Sequence, residues 1–294
     1  MVKSNNKQTT KSPDAPVRIA KAIAAAGLCS RRKAERWIEA GRVSVNGKKL
    51  ETPAFTVTPG DNVIVDDKPL PRATGVRLWR YHKPKGLMTT HNDPEGRRTV
   101  FDALPKDMPR VISIGRLDYA TEGLLLLTTS GDLARHMELP ATGWLRRYRV
   151  RAKGTVTQDA LDKLKDGVEI DGVRYHGIEA QLDRGQGANV WLTMGLREGK
   201  NREVKRVAAH LGLDVNRLIR TSFGPFALGD LAAGQVEEIK PRILADQLGA
   251  KLAGEFGLKA TGKHAEAAPK SKTLKFRGKK PPRIKPVREK RGRK

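Results

Sequence analysis

The sequence predicts an α+β protein with a mainly antiparallel mixed sheet, preceded by a small basic module and followed by a basic tail. Three observations predict this. From Leu78 to about Leu248, strand-like and helix-like segments alternate, but a helix does not follow every strand. Residues 17–70 carry short helices and tight turns of their own. Charge is uneven: residues 259–294 hold fifteen Lys and Arg against two Glu, half of the chain's net +26.

Each element follows from local chemistry. Residues 1–16 are polar and read as a disordered leader. RIAKAIAAAG is a helix closed by Gly27, which tolerates the left-handed C-terminal position. Ser30 caps the next helix, RRKAERWIEA, whose Ala34, Trp37 and Ile38 face a core. RVSVNGKKL places Val43 and Val45 on one face, with Asn46-Gly47 as a tight turn. VTPGDNVIV supplies a strand pair around Pro59-Gly60. Residues 71–77 are a linker.

The segment 78–250 is the second domain. LWRYHKPKGLMTT reads as strand, turn, strand; VISIGRL, GLLLLTT, RRYRVRAKG and NVWLTMGL read as strands. A helix starts at Leu133 after Ser130-Gly131-Asp132. TQDALDKLKDG is a helix capped by Thr157, and NREVKRVAAHLG is a helix with Val204, Val207, Ala208 and Leu211 as its apolar stripe. Residues 251–294 form the tail, whose basic, proline-bearing part cannot bury enough surface to offset its ordering entropy.

Composition narrows the function classes. The excess of 58 Lys and Arg over 32 Asp and Glu favours a polyanionic partner, because each neutralised phosphate releases condensed counterions. Nucleic acid leads over an anionic membrane, since no basic amphipathic helix with an aromatic face is evident. The single Cys29 excludes an internal disulfide and fits a reducing cytosol; no apolar run approaches the roughly 20 residues that span a bilayer. The six histidines lack ligand spacing, so no metal is expected. The chain reads as soluble, cytoplasmic and monomeric.

Two constellations carry the functional reading. In residues 17–50, nine Lys and Arg face two Glu, with Arg18 and Lys21 one turn apart and Arg31-Arg32 opening a helix, where amide groups already attract phosphates. In GRLDYATEGLLLLTTSGDLA, residues 115–134, Arg116 and Asp118 precede a buried strand, at the edge of an apolar layer that can shield a carboxylate serving as nucleophile or base. An isolated Asp there would more often be a turn residue.

RIAKAIAAAGLCSRRKAERWIEAGRVSVNGK resembles the S4 RNA-binding domain over residues 17–63, through Arg18, Lys21, Ser30-Arg31-Arg32, Glu35, Ile38, Gly41-Arg42-Val43 and Val45-Asn46-Gly47. Residues 78–248 resemble the pseudouridine synthases of the small-subunit ribosomal synthase A family, which pair an S4 domain with a catalytic domain. The motifs arrive in that family's order: Lys83-Pro84-Lys85-Gly86, the Asp118 string, Arg146 with Tyr148-Arg149-Val150, Glu198 to Arg206, and Leu218-Ile219-Arg220 with Phe223-Gly224-Pro225. The usual Lys of the third motif is here Arg146.

The resemblance implies roles. Asp118 is the expected nucleophile, Tyr148 the aromatic that packs on the target base, and Lys200 the basic partner of Asp118, with Arg202 as the alternative. Arg116 would fill the gap left in the RNA. Arg18, Lys21, Ser30, Arg31, Arg32, Arg42, Asn46, Lys83, Arg202 and Arg206 are the expected RNA contacts. The reaction is an isomerisation, so no cofactor is implied. The implied partner is ribosomal RNA, free or in a pre-ribosomal particle. The length, the S4 domain and the basic tail are most like members that act on the large subunit. The alternatives are a small-subunit target or a non-enzymatic S4-type assembly factor.

Overall fold

The computed structural model describes residues 15–73 and 75–259. The expected leader, apart from its last two positions, and the basic stretch from 260 onward lie outside the described residues.

The small module runs β1 (Val17–Arg18), α1 (Ile19–Ala25), α2 (Arg31–Glu39), β2 (Val43–Val45), β3 (Lys48–Lys49), β4 (Thr56–Val57), β5 (Val63–Val65) and β6 (Lys68–Pro69). Ser30 caps α2 as expected: its side chain accepts from the Lys33 amide at 3.2 Å. Ile19, Ile23, Ala34, Ile38, Val43 and Val45 form one core with Val57, Val63 and Val65. The sheet order is β3-β2-β5-β6, and β4 pairs with β1 instead. The strand pair expected around Pro59-Gly60 is therefore corrected: its two strands join different sheets, because each finds an apolar partner across the module rather than across the turn.

The second domain continues with β7 (Leu78–Lys83), β8 (Ile112–Ile114), β9 (Thr121–Thr128), α3 (Gly131–Glu138), β10 (Arg146–Lys153), α4 (Gln158–Asp162), β11 (Val168–Ile170), β12 (Val173–Tyr175), β13 (Glu179–Gln186) and β14 (Asn189–Leu196). It closes with α5 (Glu203–His210), β15 (Asp214–Phe223), β16 (Phe226–Ala227), β17 (Val236–Ile239), α6 (Pro241–Leu248) and α7 (Ala250–Glu255). The main sheet runs β13-β14-β10-β15-β9-β7-β17, with β16 on β15 and β8 on β9. Every pairing in it is antiparallel except β15 with β9. This is the mixed, mainly antiparallel sheet that the sequence predicts.

Two expectations change here. After β7 no second strand forms; Met88 makes only a single bridge to Thr99. The tail does not begin at 251: α7 follows, Ala253 is fully buried, and Phe256 and Leu258 pack on the core of Leu78, Leu124 and Leu244. These apolar residues gain more from burial than the short segment loses in entropy.

The sheet has two differently covered faces. Leu124 and Leu126 of β9 pack under α3 and α6 with Leu133, Met137 and Leu244, whereas Leu125 and Leu127 face Trp79, Tyr81 and Leu117. On the side of Leu125, Val150, Ala152, Leu192 and Met194 are covered by α4 and α5 through Leu161, Val204 and Val207. Gly123 (φ +102°) lets β9 approach β15, since a Cβ there would meet the Arg220 carbonyl at 2.3 Å.

Candidate active site

Two loops meet above the covered face: 115–120, between β8 and β9, and 197–202, between β14 and α5. A pocket opens between them, lined by Arg116, Asp118, Tyr148, Leu196, Lys200, Glu203, Lys205 and Leu218, among others.

The first loop is held from below by Lys83. Its side chain is fully buried, and its ammonium donates to the carbonyls of Pro84 (3.1 Å), Asp118 (3.1 Å), Tyr119 (3.3 Å) and Thr121 (2.9 Å). Burial pushes its pKa down to about 8, against the opposing pull of Asp118 and Glu122. Lys83 is thus corrected from an RNA contact to an internal clamp. Thr89 adds a second tie, donating to the Leu117 carbonyl at 2.7 Å. With its backbone fixed, Asp118 projects its carboxylate into the pocket. The side chain keeps 41% of its surface exposed, so it stands at the mouth of the pocket and not in the shielded layer that the sequence suggests.

The second loop brings the cation. Lys205, on the first turn of α5, places its ammonium 3.5 Å from Asp118 Oδ2. Lys200, the expected partner, pairs instead with Glu198 at 2.8 Å and donates to the Arg174 carbonyl. The reason lies in the turn: Arg202 adopts a left-handed conformation (φ +52°) at the N-terminus of α5, which separates Lys200 from the helix that faces Asp118. Arg202 itself is exposed on the rim, as is Arg116, and Arg206 is exposed on α5.

Buried groups support this loop. Arg146 donates to the carbonyls of Trp144, Arg197 and Glu198 at 3.1–3.3 Å, and its guanidinium lies 4.7 Å from the Phe223 ring. Burial lowers its pKa. Burial opposes ionisation of Glu198 too, but Lys200 and the His176 amide outweigh it and hold the carboxyl below its usual range. Glu203 accepts from the Lys200 amide at 2.9 Å, while its other oxygen is buried with no hydrogen-bond partner among the described residues. Burial pushes this carboxyl up to about 7, with the neighbouring Glu198 charge adding to the effect against the Lys200 amide.

Tyr148 completes the site from β10. It is half-buried and packs against the cores on both sides of the pocket, with its ring beside Leu196 and Leu218. A carboxylate, a cation and an aromatic platform from three separated segments therefore converge on one opening.

Residues 77–210 match the RNA pseudouridylate synthase model, and residues 17–63 match the S4 domain model. The chain is 45% identical over 231 residues to an uncharacterized RNA pseudouridine synthase of Rickettsia prowazekii, covering 79% of this chain and 97% of that one. The chain belongs to the RNA pseudouridine synthase family. It is also 41% identical over 217 residues to the ribosomal large subunit pseudouridine synthase B of Salmonella typhimurium, covering 72% of this chain and 75% of the relative. A crystal structure of a pseudouridylate synthase shares the fold, with a TM-score of 0.54 at 24% identity over 76% of this chain and 96% of that one.

In this synthase the S4 residues divide into two groups. Arg18, Arg31 and Arg32 are exposed. Others are engaged within the protein. Arg42 forks onto Asp66 and lies 4.7 Å from the Trp37 ring. Asn46 bonds Asp61 at 2.7 Å and accepts from the Asn62 amide, which shapes its turn. Lys21 reaches across to Asp132 of α3 at 2.7 Å. Lys205, Glu198 and Glu203 are site residues that sequence reading did not single out. No helix among the described residues is long and apolar enough to cross a membrane.

Proposed function

We propose that this synthase converts a uridine of large-subunit ribosomal RNA to pseudouridine, with Asp118 as nucleophile, Lys205 as its charge partner and Tyr148 as the platform for the flipped base. The observation that supports this most is the approach of Lys205 to Asp118 at 3.5 Å in the pocket that Tyr148 lines.

Chemistry follows from that geometry. The target base must leave its stack, at a cost of a few kcal/mol, and stacking on Tyr148 recovers roughly 1–3 kcal/mol. Arg116, exposed on the rim, fills the gap in the RNA. Lys205 sets its positive charge 3.5 Å from the Asp118 carboxylate beside the substrate. Asp118 attacks, the bond between the sugar C1′ and N1 breaks, and the base turns. The bond between C1′ and C5 then forms as the bond between C1′ and the Asp118 carboxylate breaks, C5 loses its proton and N1 gains one. Atoms and electrons balance within the substrate, so the step draws on no oxidant, nucleotide or metal.

A large-subunit target is supported by the name of the Salmonella relative. Asp118→Asn should abolish pseudouridine formation while RNA affinity stays within about twofold of the parent, measured by tritium release and by fluorescence anisotropy. Full turnover by that variant would remove Asp118 from the mechanism. Chemical mapping of ribosomal RNA from a deletion strain should show the loss of a large-subunit pseudouridine; a lost small-subunit site would move the target instead.

A further inference from the structure

The pocket uses one face of the catalytic sheet. The other face is covered by α3 and α6 over β9, β7, β17 and the C-terminal part of β15. Beyond β15 it carries side chains of another kind. Strand alternation sends Val150 and Ala152 toward α5 and turns Arg147, Arg149 and Arg151 the opposite way. Registers then assemble a row across four strands. Arg151 of β10 lies opposite Trp191 of β14 on one side and Arg217 of β15 on the other, and Trp191 lies opposite Arg184 of β13. With strands about 4.8 Å apart, the row spans roughly 15 Å.

Arg147, Arg149, Arg184 and Arg217 are exposed, and the Arg149 guanidinium lies 4.7 Å from the Trp191 ring. Nothing in the described fold gains from setting Arg151 against Arg217, because like charges directly opposite each other destabilise a sheet. Nε of Arg151 is buried without a partner among the described residues. Three carboxylates serve this surface: Glu122 is bound by two Arg217 nitrogens at 2.9–3.0 Å, Asp183 faces Arg149 at 3.9 Å, and Glu179, in register with Arg147 across Gly195, faces Arg197 at 3.7 Å. Arg147, Arg151 and Arg184 leave the face with more arginines than carboxylates.

We infer that this arginine-bearing back of the sheet is a second RNA-binding surface, which grips the phosphate backbone of a substrate segment that continues past the target uridine. The occupant follows from charge and shape. Guanidinium forks match phosphate oxygens, a regular row of them suits a repeating anion, and the Trp191 ring with Arg149 over it offers a stacking plane for an unpaired base. The inference rests on the reading that the substrate is RNA, and it adds that the RNA wraps around the sheet edge at β13.

The test uses the full chain and two RNAs: a stem-loop just long enough to present one uridine to the pocket, and a ribosomal RNA fragment several times longer. Arg149→Gln with Arg184→Gln changes only exposed side chains, and circular dichroism checks the fold; Arg147→Gln alone is the milder variant. For the long RNA, the slope of log affinity against log salt should shrink by about 0.7–0.9 per arginine removed, and affinity should fall about tenfold in the double variant. Turnover of the stem-loop should stay at the parental value. An unchanged slope on the long RNA overturns the inference. So does an equal loss on both RNAs, which would mean that the face supports the pocket. Competition by polyglutamate with the RNA slope intact would assign the face to an acidic protein instead. If the functional reading itself failed, the parent would make no pseudouridine in the stem-loop, whatever the back-face variants did.

Discussion

The two loops that form the pocket are anchored in opposite ways. Loop 115–120 rests on a buried cation: the three N–H groups of Lys83 are shared among four carbonyls within 3.3 Å. Loop 197–202 rests on buried carboxyls: Glu198 ties the His176 amide and Lys200, and Glu203 caps the Lys200 amide. Asp118 is thus held by a clamp that binds backbone through a cation, and the loop before Lys205 by one built on carboxyls. Both anchors titrate near neutrality, Lys83 at about 8 and Glu203 at about 7: as pH rises the first loses a positive charge and the second gains a negative one.

The strongest way to break this contrast is Lys83→Met. It leaves up to four carbonyls without their shared donor, and stability should fall on the order of 3–5 kcal/mol in chemical denaturation. A loss under 1 kcal/mol would mean that the loop holds itself.

A second comparison separates the two lysines of the carboxyl-anchored loop. Lys205→Ala removes the charge beside Asp118 and should lower kcat about a hundredfold, some 2.7 kcal/mol of barrier. Lys200→Ala loosens Glu198 from a distance and should cost less than tenfold. Equal losses would erase the distinction.

The smallest effect concerns Glu203. Its folded pKa is about 7, above the ordinary value of 4.5. The folded state therefore binds its proton more tightly than the unfolded chain. The associated stability is fully present below pH 4.5 and is lost as pH rises through 7. Glu203→Gln should remove this part of the slope, worth on the order of 1–2 kcal/mol, so Tm of the variant should vary less than that of the parent between pH 4.5 and 8. Parallel curves would place Glu203 outside the titration.

Much of this molecule was legible before folding. Ser30 as a cap, the strand of four leucines and the apolar stripe of α5 all follow from local periodicity. Lys83 carries a readable signal. Period-two alternation along β7 puts it on the same face as Trp79 and Tyr81, so an inward lysine was implied. The strands β11, β12 and β17 were less visible, since they are three or four residues long and their pairing comes from distant partners.

The chain's sequence by itself determined the chemistry: ordered motifs carried Asp118, Tyr148 and a basic string, and local pattern determined most elements. Tertiary structure decided which cation serves Asp118. Lys200 and Lys205 lie in one motif, and a single left-handed residue, Arg202, turns one toward Glu198 and the other toward Asp118. Tertiary structure also decided that Asp118 is open and Lys83 closed. Both outcomes depend on how loops cross a sheet whose neighbours are far apart in the chain, and no local spacing encodes that.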